Sequence, residues 1–227
     1  YNLIIVCAGS NSLLSKSISK NKFFKNSYNE VSVTTILKHN PLKNIIARQI
    51  FLDNEIIALL PISNKKTSIV WTFDKGLIDK FNYKNEFFLK KRLKFLTKEV
   101  LKNIKFDSKI ERHNLNFVIS KNFSSDRTLL FGDALHTVHP LAGQGFNMTL
   151  RDLKTLENIL KEKIDLGMDI GSPEILEEFS REIQPRNFLY SIGIDLTKKV
   201  FSFKNKTFKD FRDKTILNIN KNNFIKN

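Results

Sequence analysis

The 227-residue chain holds one cysteine, one tryptophan, two methionines and five prolines, and these scarcities remove whole classes of protein. A lone Cys7 cannot build a disulfide framework or a multi-thiolate metal site, and it fits a reducing compartment, where a strand-end thiol is expected to be buried rather than reactive. The longest unbroken apolar stretches, such as residues 56–61, fall far short of the roughly 20 residues that cross a bilayer. No basic segment followed by an apolar core opens the chain. The expectation is a soluble globular protein of the cytoplasm. The eight glycines, at 9, 76, 132, 143, 145, 167, 171 and 193, never fall into G-x-G-x-x-G, so the fingerprint that cradles the ADP half of a dinucleotide is missing. The first residue is Tyr1 and the only methionines are Met148 and Met168. Residues 1–6 read as a buried strand already under way, which predicts the later part of a longer protein.

What is abundant is positive charge: 38 Lys and Arg against 23 Asp and Glu, a net +15. A dedicated polyanion site gathers its cations in blocks or stripes, whereas these are scattered from end to end, as compositional bias with solvated faces would produce. Nucleic acid is therefore not an expected partner. Attraction to an acidic membrane surface stays open, giving a peripheral location at the inner membrane surface or in a biosynthetic complex as a secondary expectation. At 41% hydrophobic and 27% charged, the chain can bury one large core or two modest ones.

Hydrophobic periodicity changes along the chain. Residues 31–38, 45–52, 56–61 and 67–73 are β-branched, loosely alternating runs separated by Asp53-Asn54 and by residues 63–66, as in an antiparallel meander. Leu89, Leu93, Leu96, Val100 and Ile104 recur at helical spacing, predicting an amphipathic helix over 85–104. Residues 117–120 and 128–131 are short strand candidates. Leu150, Leu153, Leu156, Ile159 and Leu160 mark a further helix, and Ser172-Pro173-Glu174 starts the next. Helices are expected to fill the remainder through Phe179, Phe188, Leu196, Phe203 and Phe211.

Residues 127–152 carry the chemistry. An apolar strand ends at Gly132-Asp133 and leaves a carboxylate at the carboxyl edge, where open α/β sheets bind ligands. Pro140 stiffens the following loop, and Gly143 and Gly145 let backbone approach a flat ligand closely. A helix starting near Gly145 then aims its unpaired amides and positive dipole end into the same space, which suits delocalised negative charge.

Gly132-Asp133-Ala134, His136, residues 139–145 (His-Pro-Leu-Ala-Gly-Gln-Gly), Asn147 and Arg151-Asp152 closely resemble the second flavin-binding motif of the class A FAD-dependent aromatic hydroxylases, most of all the branch that hydroxylates ubiquinone precursors. Residues 56–61 followed by 68–72 are similar to that branch's central sheet, and residues 1–12 to the strand and turn before it. The resemblance implies a truncated α/β hydroxylase fold. Residues 1–20 would be a remnant of the FAD-binding domain, 21–120 an α+β substrate domain of antiparallel sheet and helix, 121–165 the flavin motif, and 166–227 C-terminal helices. It implies FAD as cofactor, with Asp133 on a ribityl hydroxyl, Gly132 in the same turn, Pro140 beside the isoalloxazine ring, and Gly143, Gln144, Gly145, Phe146 and Asn147 facing its pyrimidine edge. The activity implied is ring hydroxylation of an aromatic substrate, free or polyprenylated, through a flavin C4a-hydroperoxide made with NAD(P)H and O2. Pro140 and His139 are then the candidate catalytic residues. For His136 and His139, direct flavin contact and plain packing remain equal readings.

The chain departs from the family in two places. Ala8 stands where the other motif has an aspartate, and Ser15 where it has an arginine, which weakens the coupling of pyridine nucleotide to FAD. With the glycine fingerprint also absent, the isolated chain is expected to bind FAD weakly or not at all. Two rivals follow from the same residues. Asp133, His136 and His139 have a D-x-x-H-x-x-H spacing that could hold a metal on a helix face, but Pro140 and the glycines oppose a helix there, so no metal is expected. A non-catalytic scaffold that kept the fold is the second. Trp71 and most phenylalanines are read as core, with a few around Phe73 as candidates for an aromatic-lined substrate pocket.

Overall fold

In the computed structural model, residues 1–9, 11–20 and 22–202 are described. The elements run β1 (Ile4–Val6), α1 (Leu13–Ile18), β2 (Phe23–Lys38), β3 (Arg48–Leu52), β4 (Glu55–Ser63), β5 (Lys66–Asp74), α2 (Gly76–Lys80), α3 (Glu86–Thr97), β6 (Lys105–Phe106), β7 (Glu111–Ser120), β8 (Ser124–Ser125), β9 (Thr128–Leu130), β10 (His136–Thr137), α4 (Gln144–Asp165) and α5 (Pro173–Ser202). This is the mixed α/β architecture, antiparallel sheet and C-terminal helix included, that the sequence implied. Two compact units share the described residues: 1–29 with 115–195, and 30–114 with 196–202. Phe203 and Phe211 lie outside the described residues, as does Ser10 of the first turn.

In the first unit β1 pairs in parallel with β9, Ile4 opposite Thr128 and Val6 opposite Leu130, and β8 runs antiparallel on the other side of β9. β10 pairs with β7, His136 opposite Ile119. Leu129, Leu130 and Phe131 pack against Leu156 and Ile159 of α4 and against Ile175, Leu176, Phe179 and Ile183 of α5, whose spacing is one helical face. The sequence reading needs four corrections here. The first strand is three residues long, and Ile4 and Ile5 are exposed. Cys7, just past that strand, is exposed rather than buried. Leu150 and Leu153 face outward, because the buried stripe of α4 is Met148, Asp152, Thr155, Leu156 and Ile159. The described C-terminal part is one helix, α5, which continues through Pro185 and leaves Phe188 and Leu196 exposed.

The second unit is a sheet in the order β2-β5-β4-β3, antiparallel throughout, with Val33 opposite Trp71, Ile57 opposite Trp71 and Ile50 opposite Ile57; β6 pairs with β2. Alternation along β4 buries Ile57 and Leu59 and exposes Leu60, as a half-covered sheet requires. The buried faces of Val33, Leu37, Ile69, Trp71 and Phe73 meet Leu89, Leu93 and Leu101. Asn85 caps α3 by accepting from the Phe87 amide at 2.9 Å. The helix ends at Thr97, short of 104, and Val100 and Ile104 join the same core from the turns that follow, where Asn103 has a positive φ. β3 starts at Arg48, leaving Ile45 and Ile46 exposed before it. Among the described residues no helix is long and apolar enough to cross a membrane.

Candidate functional site

The strand β9 delivers the chain to Phe131 and then to Gly132, whose φ of +60° opens a 3₁₀ turn carrying exposed Asp133. The Leu135 amide closes that turn on the Gly132 carbonyl at 2.9 Å. A β-carbon at 132 would sit 3.6 Å from Thr149 Cγ2, so the strand end and the start of α4 are neighbours. β10 follows, then a loop in which Pro140 is half-buried and the Leu141 amide donates to the His139 carbonyl at 2.7 Å.

Gly143 is the N-cap of α4, in the left-handed region at φ +67° and ψ +21°. A side chain there would be strained, although a β-carbon meets nothing within 4 Å; the constraint is conformational and the space beside it is open. No side chain caps the helix; the Gln144 amide donates to the Leu141 carbonyl, and the next amides of the first turn have no acceptor within the helix. Gln144 and Gly145 are half-buried, Asn147 is exposed and Phe146 is 70% exposed. The predicted residues Gly132, Asp133, Pro140, Gly143, Gln144, Gly145, Phe146 and Asn147 thus fall in one unit. Open space at Gly143 and an uncapped helix start fit an electron-rich planar group such as the flavin's pyrimidine edge.

The two histidines have separate partners. His139, 1% exposed, stands edge-on to Tyr28 with ring centroids 5.1 Å apart. His136, also 1% exposed, donates from Nε2 to Asp152 Oδ2 at 3.0 Å. Asp152 is wholly buried and accepts further from Asn187 Nδ2 at 2.8 Å and Arg186 Nη2 at 3.3 Å. Among the described residues no three His, Cys, Asp or Glu side chains gather as metal ligands would. Arg151 lies over the Tyr190 ring at 4.3 Å. Sequence reasoning quoted Asp152 but gave it no role; the signal was there, a charged residue on the same helical stripe as Met148, Leu156 and Ile159.

At the other motif, Ser12 caps α1 by accepting from the Ser15 amide at 3.0 Å, and its hydroxyl donates to Ser15 Oγ at 2.7 Å. Ser15 is fully buried, so that position presents a short, internally bonded alcohol. In the second unit a half-open cavity of about 290 Å³ is floored by Val31, Phe73, Ile78 and Tyr83 and rimmed by Lys84 and Arg112. Phe73 packs there against Trp71 and Tyr83 at 4.6 and 5.2 Å.

Strand end, glycine turn and helix start come together in the first unit of an α/β fold. The chain belongs to the FAD binding domain family, which it matches over residues 2–187. It is similar to "Ubiquinone biosynthesis monooxygenase COQ6, mitochondrial" of Danio rerio, 29% identical over 77% of this chain and 43% of that protein. It is also similar to "Ubiquinone hydroxylase UbiL" of Rhodospirillum rubrum, 27% identical over 77% of this chain and 41% of that protein. The chain therefore spans less than half the length of either relative. Its fold is shared with the flavin-dependent brominase Bmp2, with a TM-score of 0.67 over 95% of this chain and 56% of that one, at 13% identity.

Proposed function

We propose that the chain is part of an FAD-dependent monooxygenase that hydroxylates the aromatic ring of a ubiquinone precursor, with O2 and NAD(P)H as co-substrates. Membership of the FAD-binding family supports the cofactor, and two relatives named as ubiquinone monooxygenase and hydroxylase support the substrate class. The observation that carries the reading is the uncapped start of α4 behind a left-handed Gly143.

FAD, when bound, supplies the redox chemistry by which dioxygen is activated. The chain's own residues bind and orient it. Exposed Asp133 accepts hydrogen bonds from ribityl hydroxyls. The amides of Gly143, Gly145, Phe146 and Asn147, with the Gln144 side chain, donate to the pyrimidine edge, where preorganised donors at a helix start favour the negative charge of the reduced ring. Pro140 faces the ring, and His139, fixed against Tyr28, holds the Pro140 loop in place. Excluding water from such a site keeps the oxidant on the substrate.

Titrating FAD into the complete protein of which this chain is part, read by flavin absorbance and fluorescence, tests this. Asp133→Ala is expected to weaken binding about tenfold by removing an ionised acceptor. Gly145→Val is expected to weaken it more. A β-carbon at 145 meets only Val138 Cγ2 at 3.5 Å, an ordinary contact, so the loss would report on the ligand rather than on folding. Unchanged affinity in both variants would sink the assignment.

A further inference from the structure

The hydrogen bond between His136 and Asp152 joins residues 16 apart in sequence, and its ends bracket the loop that contains Pro140, Gly143, Gln144, Gly145, Phe146 and Asn147. One end lies in β10, whose backbone is paired with β7. The other lies in α4, eight residues and about 12 Å of helix beyond Gln144 at 1.5 Å per residue. Asp152 is itself fixed from the far side by Asn187 and Arg186 of α5, and Arg186 Nη2 also donates to Thr155 Oγ1 at 3.0 Å. All of these groups belong to the first unit.

The hydrogen-bond roles follow from chemistry. A carboxylate only accepts, so the His136 ring carries its proton on Nε2. Its Nδ1 is buried and has no hydrogen-bond partner among the described residues. The imidazole therefore has a single polar tether there, and its orientation depends on Asp152. Were the ring's place set by packing alone, a smaller apolar residue would do the same without the cost of burying a carboxylate.

We infer that Asp152 is a positioning residue for the flavin-facing loop: acting through His136, it clamps the beginning of that loop to the third turn of α4 and to α5. The inference rests on the flavin reading for its functional meaning, but the clamp itself is a property of the polypeptide. A carboxylate so placed touches neither flavin nor substrate.

The test is amide hydrogen exchange on the full 227-residue chain, with FAD titration as a separate arm. In Asp152→Asn and His136→Leu, exchange at the amides of residues 138–147 is expected to accelerate about tenfold more than at those of β9 after correction for the loss of global stability, the size of one lost charge-assisted hydrogen bond. His136→Gln, which retains a side-chain N–H donor, is expected to recover most of the protection. Acceleration in β9 equal to that in the loop, or none in the loop, would overturn the clamp. Should the variants fail to fold, 15N NMR of the wild-type ring decides, since an unprotonated Nε2 is incompatible with donation to Asp152. In the titration arm, loop acceleration accompanied by weaker FAD binding supports both readings. Loop acceleration with the FAD affinity of the complete protein unchanged leaves the clamp standing and overturns its link to the flavin.

Discussion

Asp152 in the first unit and Glu55 in the second are buried carboxylates held on different terms. Asp152 has no exposed surface, and two of its three partner side chains, His136 and Asn187, are buried to within 2%. Glu55, 3% exposed at the head of β4, receives Arg92 on Oε2 through Nε and Nη2 at 3.3 and 3.1 Å, and the Tyr83 hydroxyl on Oε1 at 3.4 Å. The Arg92 side chain is one-third exposed and can turn to water if its partner goes. His136 and Asn187 have no such route. The comparison teaches that the cost of losing a buried charge is set by what its partners can do afterwards.

The largest expected effect follows directly. Asp152→Ala should lower the free energy of unfolding by about 3 kcal/mol in urea melts, because it strands two buried donors, His136 and Asn187, while only Arg186, one-third exposed, can turn to water. Glu55→Ala should cost less, about 2 kcal/mol, since Arg92 resolvates and only the weakly bonded Tyr83 hydroxyl is left behind. A Glu55 variant more damaging than the Asp152 variant would break the comparison.

Tyr83 sharpens it without removing a side chain. Burial, helped by the Glu55 carboxylate, pushes its pKa from the ordinary 10.0 up to about 12. The folded state therefore holds the phenolic proton after the unfolded chain has released it. The stability this contributes is complete below pH 10 and is lost as pH rises through 10 to 12. Glu55→Gln should bring the phenol's absorbance titration down toward 10 but leave it above, since burial is the larger cause. An unmoved titration would show that Glu55 exerts no field on the hydroxyl. The smallest effect is expected on α4: Leu153→Gln should stay within about 0.5 kcal/mol of wild type, while Leu156→Gln, which buries an amide in the core, should cost about 2 kcal/mol or more. Equal losses would mean that the outward face of α4 is covered.

The meander, the helix carrying Leu89 and Leu93, and the turn from Gly132 to Asn147 were legible because each is written locally: period two, period three to four, and glycines where backbone must turn left-handed. The errors share one cause. Leu150 and Leu153 read as core beside Leu156, because one apolar stripe cannot show which of its edges a partner covers. Val100 and Ile104 extended a helical period past the point where the chain turns at Asn103. Cys7 read as buried because a strand end does not announce whether anything lies over it.

The sequence by itself determined the glycine turn, the uncapped helix behind it and the carboxylate at the strand end, since torsional freedom and dipole direction belong to the residues themselves. Only the tertiary structure decided that His136 bonds Asp152 while His139 stands edge-on to Tyr28, and that Glu55 finds Arg92. Those choices depend on which distant segments share a low-dielectric interior, where each buried charge must take whatever donors the packing brings within reach.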